Sequence, residues 1–380
     1  MDGDVIKFEL RVPEADLADL RHRLRSTRWP VDFGGESWRY GARIDTLRAV
    51  QNYWANEYDW RTIEARLNSF PQYLATIDGL RVHFFHVRAK HGNGRPLLLL
   101  HGWPGSQTEF LDLIDDFVDP SRCGRGNHQA YDLVIPAIPG FGFGGKPVEP
   151  GWGPDRIADA FHRLMTLLNY DRYGVQGGDW GTIIGRRIAQ RHPGALVGLH
   201  INMPYAHPPH AAEPPDDYRT FRKTGMGYLS LQSTKPDAIA AAMSDSPMGL
   251  ATWILEKFAA WSDGEGDLPK TISLEALVTN IMFYWLPNSA GSAARIYYES
   301  ACEAVTPFGG ARVTVPTAVA AFAAEPYSAP RSWVEGIYDV VRWREFSAGG
   351  HFAALEQREA LRDDVQEFFT TDRFDHRHAA

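Results

Sequence analysis

The sequence predicts an α/β fold: a mostly parallel central sheet flanked by helices, preceded by a helical segment and interrupted by a helical insertion. Three observations carry this expectation. Short continuous apolar runs, Pro96 to Leu100 and Leu133 to Ile138, read as strands buried on both faces. Helical stretches alternate with such runs at βαβ spacing, which favours parallel pairing. From about Pro204 to Pro307 the alternation stops and helical patterns dominate, with Leu274, Leu277, Val278 and Ile281 on one face.

Taken in order, residues 1–78 read as a helical N-terminal segment. Pro13 suits a first helical position, Leu17, Leu20 and Leu24 share one face, and Leu47, Val50 and Trp54 repeat that spacing. Residues 79–203 form the first part of the core. Its strands are Arg81 to Arg88, Pro96 to Leu100, Leu133 to Ile138, a run from Val175 to Gly178, and Val197 to Met203. Helices over 106–117, 155–168 and 182–190 lie between them. Residues 204–307 read as a helical lid, placed where it can cover the carboxyl ends of the strands. Residues 308–380 return to the core with strands at 312–322 and 338–346, and a last helix gathers Leu361, Val365 and Phe368.

The chain has 380 residues, 44% of them apolar, enough for a sizeable core. Lys and Arg total 39 against 47 Asp and Glu, a net charge of −8, which argues against nucleic-acid binding. Two cysteines, Cys123 and Cys302, give neither a disulfide framework nor metal-ligand spacing. No apolar stretch approaches the roughly 18 residues of a membrane span, and Met1-Asp2-Gly3-Asp4 leads into no signal-like segment. The expectation is a cytoplasmic protein without membrane association, with a homodimer as the default assembly.

The densest chemical signal is Gly177-Gly178-Asp179-Trp180-Gly181, after a strand and before a helix. This is the strand–turn–helix setting of a nucleophile elbow, with Asp where Ser is more familiar. A glycine-rich turn with a capping Asp would explain it alone, but two further motifs stand at strand ends. His101-Gly102-Trp103-Pro104-Gly105 can aim the Trp103 N–H at the elbow, and the Trp180 N–H supplies a second oxyanion donor. Gly349-Gly350-His351-Phe352 follows the last strand. The order nucleophile, acid, histidine fits an α/β-hydrolase arrangement. Glu325, Glu335 and Asp339 are the candidate acids; Glu325 is favoured because it stands where a strand runs out. Gly140-Phe141-Gly142-Phe143-Gly144-Gly145 matches a dinucleotide-binding pattern, but Lys146-Pro147 and Pro150-Gly151 follow it instead of a helix. A loop at the sheet edge is expected there, with Phe141 lining the pocket beside Trp103 and Trp180.

These motifs resemble those of α/β-hydrolase epoxide hydrolases of the microsomal and juvenile-hormone type. The likeness spans nearly the whole chain, including Asn68-Ser69-Phe70-Pro71-Gln72-Tyr73 and the lid text Thr234-Lys235-Pro236-Asp237 and Ser246-Pro247-Met248-Gly249-Leu250. It implies Asp179 as nucleophile, His351 as base, Glu325 as its charge-relay acid, and Tyr228 and Tyr297 as lid tyrosines that hold the epoxide oxygen. Tyr298 is the neighbour with which Tyr297 competes. Where microsomal enzymes begin with a membrane anchor, this sequence shows none. In that respect it is similar to soluble bacterial members, for which biosynthetic or detoxifying roles are expected.

The chemistry suits those residue types. A carboxylate that attacks a strained ring carbon leaves an alkyl ester, which water can cleave; a serine would leave an inert ether. Phenols can protonate the leaving alkoxide without resting charge. The expected reaction is epoxide plus water to vicinal diol on a small hydrophobic or aryl epoxide, with no metal and no cofactor. A haloalkane or haloacid dehalogenase is the nearest alternative, and a non-catalytic hydrolase-like binding protein the alternative of another class. Trp103 and the paired tyrosines weigh against the first, and the intact set Asp179, Glu325 and His351 against the second.

Overall fold

Among the described residues, nine strands form one sheet in the order β1-β2-β3-β5-β4-β6-β7-β8-β9 in the computed structural model. It describes residues 3–375 except 33, 35–37, 125, 127, 207–212, 214 and 304–308. The strands are β1 (Val5–Phe8), β2 (Gln72–Ile77), β3 (Leu80–Val87), β4 (Arg95–Leu100), β5 (Tyr131–Pro136), β6 (Tyr173–Gly177), β7 (Leu196–Ile201), β8 (Pro316–Ala324) and β9 (Asp339–Gly350). From β5 to β9 neighbours run parallel. The first three strands are antiparallel to one another, and β3 is antiparallel to β5. Leu97 to Leu100 on β4 and Leu133 to Ile135 on β5 are fully shielded, as strands covered by helices on both faces require.

Two of these strands correct the purely helical reading of residues 1–78. β1 is an edge strand whose Val5 and Ile6 are 38% and 54% exposed, so it carries no apolar face for the sequence to reveal. β2 is joined to β3 by a two-residue turn at Asp78 and Gly79, both with positive φ. An Asp-Gly pair between two strand-forming runs is the signal for such a hairpin. The expected boundary at 78/79 therefore falls inside a turn of the sheet. The remainder of the segment is helical, over Glu14–Arg25, Ile44–Asn56 and Trp60–Asn68, with Leu17, Leu20, Leu24, Leu47, Val50 and Trp54 all buried.

The insertion between β7 and β8 is helical throughout its described secondary structure. It comprises Asp216–Thr224, Gly227–Thr234, Asp237–Asp245, Pro247–Trp261, Leu274–Trp285 and Ala290–Cys302. No described helix is long and apolar enough to cross a membrane.

Three backbones meet where β6 ends. Helix Trp180–Arg191 starts two residues after β6, beside the end of β4. A Cβ on Gly177 would strike the carbonyl carbon of Gly181, and one on Gly181 would strike the Leu100 carbonyl oxygen. Neither neighbour is a side chain that can swing away. Gly181→Ala is therefore expected to lower stability by about 2 kcal/mol, the scale of overpacking a tight interior. Urea unfolding checks this, and an unchanged midpoint would contradict the close approach.

Candidate active site

Asp179 tops the turn between β6 and helix Trp180–Arg191 at φ 50° and ψ −123°. A residue with a Cβ adopts such a backbone only where the surroundings hold it, at a cost of about 1–3 kcal/mol. The turn lifts the carboxylate out of the sheet into contact with two other strand ends. Oδ1 accepts the Trp103 backbone N–H at 2.8 Å, and Oδ2 lies 3.5 Å from His351 Nε2. The His351 Nδ1–H donates to Glu325 Oε1 at 2.7 Å. Glu325 follows β8 directly and is almost wholly shielded. The other two candidate acids stand elsewhere: Glu335 pairs with Arg331 at 2.7 Å and Asp339 faces Arg312 at 3.7 Å.

Burial alone would pull the His351 pKa down. Glu325 and Asp179 outweigh it and raise the pKa well above the ordinary value. Burial raises Glu325, with His351 opposing. His101 behaves differently. It is buried, and burial pushes its pKa down to about 4, so the ring is neutral. Its Nε2 accepts the Ile138 N–H at 3.2 Å, which leaves Nδ1–H to bond the Gly102 carbonyl at 3.0 Å. His101 is thus a strut that shapes the Trp103 loop.

The helical insertion closes the site from above. Tyr228 opens helix Gly227–Thr234 and Tyr297 lies within Ala290–Cys302. The Tyr228 ring stacks on Trp103, centroids 5.2 Å apart and planes at 4°. Tyr297 stands edge-on to Trp103 at 5.7 Å, to Trp180 at 4.8 Å and to Tyr228 at 5.8 Å. Both phenols have pKa values well above the ordinary one: burial is the main cause, and the negative charge of Asp179 adds to it. Tyr297 Oη is buried and makes no good hydrogen bond among the described residues. Tyr298 is 42% exposed, and of the two neighbours Tyr297 is the one that borders Asp179.

A chamber of about 290 Å³ opens over Asp179. Its walls include Trp180, Ile183, Met203, Phe221, Met226, Leu229, Trp261 and Tyr327; Asp179, Glu325, His351, Tyr228 and Tyr297 border it together, and Tyr205, Ser233 and Ser300 are further polar members. Trp180 lies on these walls; of the other two residues expected there, Trp103 does not, and neither does Phe141. Its ring is buried behind the Trp103 loop, edge-on to His101 at 5.4 Å and to Tyr284 at 6.0 Å. Gly140 and Gly142 both have positive φ and fold the loop back, which turns the ring into the core. Phe143 likewise packs on Phe283 at 5.2 Å.

Several residues escape sequence reasoning. Asn280 Nδ2 donates to the Pro104 carbonyl at 2.7 Å, and the Tyr284 hydroxyl to the Gly105 carbonyl at 2.5 Å, so helix Leu274–Trp285 grips the Trp103 loop. The Trp261 carbonyl accepts the His351 N–H at 2.9 Å, and its ring lies 5.0 Å from the imidazole. Glu356 Oε1 accepts the N–H groups of Gly350 and Phe352, at 3.2 and 3.1 Å. Glu109, in the short turn Gln107–Phe110, sits beside Asp179 and His351 with its pKa pushed up to about 8. Burial raises it and Asp179 adds, while His351 and the Ser106 N–H oppose. Among the described residues no cluster of His, Cys, Asp and Glu could hold a metal ion.

Comparison with known proteins places this geometry in a family. The epoxide hydrolase N terminus family model matches residues 5–110, and the alpha/beta hydrolase fold model matches residues 95–226. Epoxide hydrolase 1 of Sus scrofa is 32% identical over 403 aligned positions, covering 97% of this chain and 89% of its own. The crystal structure of juvenile hormone epoxide hydrolase from the silkworm Bombyx mori is similar with a TM-score of 0.88 at 31% identity, covering 96% of this chain and 94% of that one. The Aspergillus niger epoxide hydrolase structure gives 0.84 at 29% identity and covers 96% of each. With relatives of this identity along almost its whole length and the matching N-terminal model, the chain belongs to the epoxide hydrolase family, on the α/β-hydrolase fold.

Proposed function

We propose that this enzyme opens its epoxide through a covalent ester on Asp179 and releases the vicinal diol by hydrolysis of that ester. One observation carries the reading. Asp179 has one oxygen held by the Trp103 N–H, while the other faces both His351 and the chamber. The free oxygen, Oδ2, attacks a ring carbon, and the carbon–oxygen bond of the ring breaks. The electron pair goes to the ring oxygen, which takes a proton from Tyr228 or Tyr297.

The electrostatics order these events. While Asp179 is charged, both phenols hold their protons tightly. As its charge passes to the substrate oxygen, that hold weakens where a proton is needed. Ester formation also takes from His351 one of the two carboxylates that raise its pKa. Its pKa falls accordingly, the imidazolium gives its proton to the phenolate left by ring opening, and the neutral imidazole is then available as a base.

In the second half-reaction His351 Nε2 takes a proton from water, and the hydroxide oxygen adds to Asp179 Cγ. The carbonyl oxygen, in the place of Oδ1, becomes an oxyanion at the Trp103 N–H, with the first N–H of the helix, that of Trp180, as second donor. One such donor contributes about 3–4 kcal/mol. Collapse expels the alkoxide, which takes the proton of the new Asp179 carboxyl to give the diol, and Asp179 is left ionised beside the His351 imidazolium. Asp179 is left with one oxygen from water.

The substrate that fits is a bulky apolar or aryl epoxide, because the chamber walls are mainly aromatic and aliphatic. Phenols facing Asp179 suit a leaving alkoxide, and this favours ring opening over halide release.

His351→Gln is expected to stop at the ester. Intact mass after substrate should rise by the full mass of the epoxide, with the adduct mapped to Asp179; an unmodified enzyme would refute the two-step scheme. Tyr228→Phe and Tyr297→Phe should each slow alkylation, and together by at least about a hundredfold. Stopped-flow rates of ester formation test this, and a double variant as fast as the parent would remove the phenols from the mechanism.

A further inference from the structure

The ester must be attacked by a water whose place the chamber does not define, because a bulky substrate fills the chamber while the ester lives. A second, smaller pocket also borders Asp179 and His351, with a lining otherwise distinct from that of the chamber. Its water-sized space is about 20 Å³, and it is bounded by Asp179, His351, Glu109, Gln176, Asn202 and the Trp103 loop. One water needs at least about 10–15 Å³ and two to four polar partners. This pocket supplies both, whereas an apolar void of that size would stay dry.

Its polar lining is unusual for so enclosed a place. Gln176, on β6, is 2% exposed, and its Nε2 donates to Asn202 Oδ1 at 2.8 Å. Its Oε1 makes no hydrogen bond among the described residues. A buried, unsatisfied acceptor costs about 1–3 kcal/mol. Glu109 reaches the pocket from the turn Gln107–Phe110. It is half-buried and lines the pocket. Gly105 makes room for it, since a Cβ there would collide with Glu109 Oε1.

We propose that this pocket seats the hydrolytic water, and that Glu109 and Gln176 are its positioning residues. The water gives one hydrogen to His351 Nε2 and the other to Gln176 Oε1. A hydrogen bond with Glu109 fixes the oxygen, and a lone pair is left for Asp179 Cγ. The proton passes to His351, the new bond forms between the water oxygen and Cγ, and the ester bond to the alkyl oxygen breaks. The lifted pKa of Glu109 agrees with this, because a neutral carboxyl adds no third negative charge beside Asp179 and Glu325. The proposal rests on Asp179 as the nucleophile.

The test separates the two half-reactions under single-turnover conditions. Ester formation is followed by the fluorescence of Trp103 and Trp180, and ester decay by intact mass. Glu109→Leu and Gln176→Leu are expected to form the ester at the parent rate and to lose it about tenfold to a hundredfold more slowly. Glu109→Gln, which keeps a neutral hydrogen-bonding group in place, is expected to stay within about threefold. If the leucine variants do not fold, Glu109→Ala and Gln176→Ala carry the same expectation. Parent-like ester decay in the variants at both positions, with the ester still trapped in His351→Gln, would overturn the water seat alone. If His351→Gln forms no ester, the nucleophile reading falls and this proposal falls with it.

Discussion

The site depends on one backbone constraint: Asp179 is held at positive φ where three chain segments crowd together. Gly177 and Gly181 let helix Trp180–Arg191 begin almost on top of β6, and Leu100 at the end of β4 closes the third side. The strain at Asp179 raises the carboxylate clear of the sheet and brings it against the Trp103 loop, which follows β4. His351 and Glu325 follow β9 and β8, neighbours in the same sheet. Parallel strands deliver all these side chains to one edge, since each strand ends on the same side. No side chain has to reach far: Asp179, Glu325 and His351 are each anchored within two residues of a strand end.

Charge is concentrated there and is balanced internally. Asp179 and Glu325 flank a single imidazole whose burial works against protonation. In the proposed mechanism that balance shifts when Asp179 becomes an ester, which removes one of the two carboxylates that raise the imidazole's pKa and makes it a readier base. Tyr228 and Tyr297 respond to the same change, because Asp179 contributes to both of their elevated pKa values. One event, the loss of a single negative charge, thus adjusts the acid and the base together. His101 is excluded from this exchange by its fixed tautomer and low pKa.

What could be read from the sequence was what is encoded locally. Asp179, Trp103 and His351 sit in glycine-flanked turns at strand ends, and such turns have short signatures. The place of Glu325 followed from where a strand runs out. The tyrosines needed family resemblance, because the insertion is rich in aromatics and pattern alone does not rank them. Phe141 stands off the chamber because the positive-φ glycines Gly140 and Gly142 turn its ring inward, and nothing local in the sequence signals that turn. β1 has no apolar face, and β2 is marked chiefly by the Asp78-Gly79 turn. Glu109, Gln176 and Asn202 come from a short turn, from β6 and from just after β7, so only the folded sheet brings them together.

The N-terminal segment completes the reasoning, because it holds the insertion in register with the sheet. Its helices Glu14–Arg25 and Ile44–Asn56 pack on Pro247–Trp261, and the second also meets Leu274–Trp285. Tyr58 shares a 2.9 Å hydrogen bond with Thr279, the Trp38 indole N–H donates to Asp267 at 2.9 Å, and Arg23 reaches Asp245. At its other end the segment joins the sheet through β1 and β2. From β2 a buried relay runs through Gln72, His83 and Gln107 to the Ile135 carbonyl. Pro247–Trp261 ends on the residue whose carbonyl holds the His351 N–H, and Leu274–Trp285 grips the Trp103 loop through Asn280 and Tyr284. A shift of the insertion by about 1 Å would move the phenols, Trp103 and His351 relative to Asp179 at once, and misplacement on that scale can cost about a hundredfold in rate. The helical preface therefore acts on the chemistry without touching the substrate: it fixes the distance between the carboxylate rooted in the sheet and the groups presented from above.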